Sequence, residues 1–138
     1  MPVSGLDDFF DGYRAAFVRY DSEALVALFE FPLHLISATD KNTVISVAAE
    51  DGWRRTLDGL LDAYRLLGVA DAVPLEFEVV ELMPDVCSVR IRWDLRDDNG
   101  NAIYDFKAVY SVVKVATAWR IAGIIHDEVP KLQAATRR

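Results

Sequence analysis

Asp127, Tyr13 and Tyr110 are the residues of this chain whose types and settings suit acid–base chemistry. A carboxyl enclosed by aromatic side chains loses hydration, its pKa rises, and it can take a proton and return it. A tyrosine hydroxyl in the same setting can donate to an oxygen that gains negative charge. Asp127 is expected to point inward beside Phe106 near the end of the last strand; a strand-end aspartate turned to solvent is the alternative. Tyr13 lies in the apolar stripe of a helix, where a core tyrosine with one buried partner is the structural reading. Tyr110 is expected opposite Gly123, whose missing side chain would leave a void beside the ring. Without that void the ligand reading fails. By the same parity His126 faces outward opposite Lys107, and a slip of one residue would exchange it with Asp127. His34 has Leu33 and Leu35 on the other face of its strand; it enters the pocket, caps its rim, or is a satisfied structural histidine.

Other chemistries lack their residues. Two distant histidines and one cysteine have no metal-ligand spacing. There is no glycine-rich phosphate loop and no Gly-x-Ser-x-Gly elbow. Neither metal nor cofactor is expected.

The element that must position these residues runs from Val86 to Asp127. Val86 to Arg96 alternates, with Cys87, Val89, Ile91, Trp93 and Leu95 on one side and Ser88, Arg90, Arg92, Asp94 and Arg96 on the other. A two-residue turn at Asn99-Gly100 sets Leu95 against Tyr104, Trp93 against Phe106, Ile91 against Ala108, Val89 against Tyr110 and Cys87 against Val112. A tight turn at Ala116-Thr117 sets Val112 against Ile121, Tyr110 against Gly123, Ala108 against Ile125 and Phe106 against Asp127.

Upstream, Ser4 and Asp7 resemble a capping box opening a helix with Leu6, Phe9, Phe10, Tyr13, Phe17 and Tyr20 on one face. Asp21 recaps a short helix that stops near Phe31, before Pro32. Leu33–Ala38 and Thr43–Val47 form a small hairpin. A third helix carries Trp53, Leu57, Leu60, Leu61, Tyr64 and Leu67, and Gly68 ends it. Leu75, Phe77 and Val79 then alternate until the apolar phase flips at Val80 and Leu82, suggesting a bulge. In the tail 129–138, the stretch Lys131 to Arg138 has no convincing partner and reads as frayed.

The chain, residues 1–138, is one domain with its core over about 5–128. A net charge of −7 and a pI near 4.7 argue against nucleic acid and anionic membranes. Arg90, Arg92 and Arg96 share their face with Asp94 and Asp105, a mixed-charge surface. Cys87, the only cysteine, falls on the apolar side, which suits a reducing, cytoplasmic setting. No signal peptide or membrane span is indicated.

Helix, helix, short hairpin, helix and four strands is an order that resembles the nuclear transport factor 2-like superfamily, also called SnoaL-like or ketosteroid-isomerase-like. The local matches are Tyr13-Arg-Ala-Ala-Phe17 with Leu25-Val-Ala-Leu-Phe29, and Trp119-Arg-Ile-Ala-Gly-Ile-Ile125. The resemblance implies an α+β fold, three helices packed on a curved antiparallel sheet that forms a cone-like half barrel. It also implies that Tyr13 stands at the isomerases' enolate-donor tyrosine and Tyr110 near their second donor. Ser37 falls where their base aspartate should be, so isomerisation by that mechanism is not expected. The expected function is binding of a small, largely apolar molecule in a cone lined by Phe17, His34, Trp53, Tyr64, Trp93, Tyr104 and Phe106. Cofactor-free lyase or isomerase chemistry by Asp127, Tyr13 and Tyr110 could follow. The rival is a non-catalytic dimeric scaffold whose cone is filled. A homodimer is expected through the outer sheet face, where Val109 should oppose Ile124, Ser111 Ala122 and Val113 Arg120.

Overall fold

The computed structural model describes residues 4–137. Their order is α1 (Leu6–Val18), α2 (Ser22–Val26), β1 (Phe29–Ser37), β2 (Thr43–Val47), α3 (Glu50–Leu67), β3 (Asp71–Met83), β4 (Val86–Arg96), β5 (Ala102–Val115), β6 (Ala118–His126) and α4 (Glu128–Thr136). The strands form one curved, unclosed sheet in the order β2-β1-β6-β5-β4-β3. It is an α+β cone, with two refinements to the expected plan: the helices number four, and β1 runs parallel to β6, so the sheet is mixed.

The β4–β5 ladder has the register that alternation dictates, including Leu95 on Tyr104, Ile91 on Ala108 and Val89 on Tyr110. Its connection is longer than two residues. Arg96 slips to pair with Ala102, and the Asp97 carboxylate accepts the Asn99 and Asn101 N–H groups at 2.9 Å each, wrapping a five-residue loop around Gly100 at φ 81°.

The β5–β6 ladder starts as expected, Val115 on Ala118 and Val112 on Ile121, then breaks between Ser111 and Val112. Ala122 is the extra residue of a bulge, and beyond it Ser111 pairs Gly123, Tyr110 pairs Ile124 and Ala108 pairs His126. Everything after Ile121 therefore changes face. Ile124 is buried and Ile125 is exposed, the reverse of the expected outer patch, and Gly123 sits not against Tyr110 but outside, beside Ser111 and the His34 carbonyl.

Smaller differences have local causes. The α1 N-terminus is Gly5 at φ 89° with no side-chain cap, and the Ser4 carbonyl accepts Trp119 Nε1–H instead. α2 is capped by Asp21, which accepts Ala24 N–H at 3.0 Å, but it ends at Val26 because the chain enters β1 at Phe29 to pair with Ile121. In β3 the register shifts at Leu75 and again at Leu82. The tail is not frayed: α4 packs on β5 and α3, and Ala135 is buried.

Candidate functional site

The inner sheet face and the helices enclose a cavity of about 300 Å³ with an almost wholly apolar lining. Its floor is Ala108, whose small side chain lies between Phe106 and Tyr110 along β5 and between Ile91 and His126 across the sheet. A larger residue there would fill the space. The void lies beside Tyr110 and Ala108, and Gly123 does not line it. α1 contributes Tyr13, Arg14, Phe17 and Val18, α3 contributes Trp53, Leu57, Leu60 and Tyr64, and α4 contributes Glu128, Val129 and Leu132. Arg14, at the wall, is held by Asp71 on β3: its Nη2 donates to Oδ1 at 2.8 Å and Oδ2 at 2.9 Å, and its Nε to Oδ1 at 3.2 Å.

Of the residues expected to line the cone, Phe17, Trp53, Tyr64, Trp93 and Phe106 do so, together with Tyr13 and Tyr110. Tyr104 stands behind the lining, its hydroxyl on Glu128. His34 does not reach the cavity: it is exposed, because Leu33, Leu35 and Ser37 take the inner positions of β1.

Asp127 is also outside. The bulge turns it away from Phe106, and its Oδ1 accepts Lys107 N–H at 2.8 Å while its own N–H donates to the Lys107 carbonyl. It holds the end of the sheet and cannot serve the cavity as a base. The carboxyl that does enter belongs to Glu128, the first residue of α4, only 7 % exposed. Its Oε2 accepts hydrogen bonds from Tyr64 Oη and, at 2.7 Å, from Tyr104 Oη. Its Oε1 accepts none from the described residues. Burial raises the Glu128 pKa to about 7, against the two tyrosine hydrogen bonds, which lower it, with the nearby Asp127 charge adding to the rise.

A second polar group is a chain of donors. Trp93 Nε1–H donates to Tyr110 Oη at 2.9 Å, and Tyr110 Oη lies 3.5 Å from Tyr13 Oη. The indole can only donate, so the Tyr110 proton is free to turn toward Tyr13, and the Tyr13 proton toward a ligand. Burial raises both phenol pKa values, so both stay neutral donors. Trp53 Nε1 is buried with no acceptor among the described residues.

The third polar group is Ser37 with His126, Oγ to Nε2 at 3.1 Å. Both line the cavity. No group of three or more His, Cys, Asp or Glu among the described residues could hold a metal ion, and no helix among them is long and apolar enough to cross a membrane.

Glu128 was the residue that sequence reasoning missed. The signal lay in the tail: Asp127 is a residue type favoured before a helix, Pro130 is tolerated in a first turn whose N–H groups have no helical partner, and Val129, Leu132 and Ala135 recur at helical spacing.

The family model described as NTF2-like protein (DUF6841) matches residues 4–129, and the chain belongs to that family. Among solved structures, an NTF2-like protein of unknown function from Shewanella oneidensis superposes with a TM-score of 0.69 at 21% identity, covering 92% of this chain and 99% of that one. A candidate aromatic ring hydroxylase from Novosphingobium aromaticivorans gives 0.66 at 15%, covering 88% and 85%. A candidate scytalone dehydratase from the same organism gives 0.62 at 16%, covering 88% and 79%. At such identities the likeness is one of fold. No curated protein matches the chain.

Proposed function

We propose that this protein binds a small, largely apolar organic molecule in its cone and acts on it as a cofactor-free lyase or isomerase, with Glu128 as the proton carrier and Tyr13 as the donor. The observation that carries the reading is a buried carboxyl with one free oxygen in an apolar cavity. With a pKa of about 7, Glu128 is present in both protonation states at neutral pH, so it can remove a proton from one atom of a ligand and return it to another. Tyr64 and Tyr104 fix Oε2 and leave Oε1 for the ligand. Tyr13, at the end of the Trp93–Tyr110 chain, would stabilise the charge that develops on a ligand oxygen.

The test is binding of uncharged one- and two-ring compounds, read from the fluorescence of Trp53 and Trp93. Micromolar to millimolar binding by the wild type, lost in Ala108→Phe with the fold retained, is the expected result. Binding that survives Ala108→Phe would place the site elsewhere.

A further inference from the structure

Ser37 and His126 meet across the parallel β1–β6 pair, where the Ala38 N–H donates to the His126 carbonyl at 2.7 Å and fixes the two strands in register. The neighbouring backbone decides the state of the imidazole. Glu128 N–H donates to His126 Nδ1 at 3.2 Å, so Nδ1 is an acceptor and the proton of the neutral ring sits on Nε2. Nε2–H therefore donates to Ser37 Oγ, and His126 has no lone pair with which to activate that serine. A nucleophilic serine is excluded by this arrangement. Burial lowers the His126 pKa, with the Asp127 charge opposing, in keeping with a neutral ring. What remains is a serine oxygen pinned by an imidazole, with its own proton engaged by no described residue, on the wall of an apolar cavity.

We propose that Ser37 and His126 form a positioning pair for an oxygen of the ligand: Ser37 donates to a carbonyl or ether oxygen, and His126 fixes the direction of that donation. The pair makes the cavity selective for oxygenated rings over hydrocarbons of the same shape, because an unmet donor in a dry pocket disfavours a ligand that lacks the acceptor. The inference rests on the ligand-binding reading of the cavity and names the ligand's chemistry.

Indane and 1-indanone share a ring frame and differ by one carbonyl, so calorimetric titration of both isolates the contribution of the oxygen. The wild type should prefer 1-indanone by roughly tenfold. Ser37→Ala should abolish that preference by weakening 1-indanone while indane, relieved of the unmet donor, binds at least as well as to the wild type, which shows that the cavity is intact. A long-range proton–nitrogen spectrum should show His126 Nδ1 unprotonated. Equal wild-type affinities, a preference that survives Ser37→Ala, an equal loss of both probes in that variant, or a proton on Nδ1 would overturn the pair's role while the cavity reading stands. Failure of both probes to bind the wild type would overturn both.

Discussion

Glu128 has a stability consequence whose sign follows from its environment. Its folded-state pKa of about 7 lies above the ordinary 4.5, so the unfolded chain ionises first. The folded state is penalised progressively between those values and fully above about pH 7, by about 3 kcal/mol. Glu128→Gln keeps an acceptor for Tyr64 and Tyr104 and removes the charge. It should raise the melting temperature at pH 8, leave it nearly unchanged at pH 4, and abolish turnover; equal effects at both pH values would show that the carboxyl is not buried as described. Tyr104→Phe removes one of the two hydrogen bonds that lower the pKa, so the carboxyl should titrate higher than in the wild type, checked by NMR. At this scale the sequence was only partly legible. An acidic residue near the end of β6 was expected inside, but parity chose Asp127, and a single bulge residue was enough to hand its place to Glu128.

α4 carries that carboxyl, and its removal is the test at the level of the element. Truncation after Asp127 deletes Glu128, Val129 and Leu132 from the cavity wall and uncovers the β5 surface on which the helix packs. The truncated chain should bind an apolar dye such as ANS and melt several degrees lower; an unchanged melting curve would mean that α4 is not a structural wall. What could be read in advance followed the strength of each pattern. Strict alternation in β4 fixed five cross-strand pairs with β5, because a one-residue error would expose all five apolar side chains at once. β6 offered weaker constraint: Ile121, Ile124 and Ile125 fit either face, and Ala122-Gly123 can bulge at little steric cost. α4 was hidden because Pro130 reads as a helix breaker unless it is placed in the first turn.

On the whole molecule, the outer face of the sheet differs from the cavity face in charge and in what is left uncovered. Arg92 pairs with Asp105 at 2.8 Å, Arg96 with Asp94 at 2.9 Å and Arg90 with Glu78 at 3.1 Å, so its β3–β5 region is the mixed-charge surface that the sequence suggested. Beside it lie Val80, Val109, Val113 and Ile125, with Ile125 46 % exposed in place of Ile124. A homodimer through this patch is the expected assembly, and Ile125→Glu should dissociate it in sedimentation at micromolar concentration. A wild-type monomer under the same conditions would remove the interface. The account as a whole, however, depends on the fold keeping one carboxyl from water inside its cone, and an NMR titration of the Glu128 side chain in the intact protein measures that directly. A midpoint near 7 is predicted; a midpoint at or below 4.5 would place the carboxyl in water and contradict the proposed acid–base site.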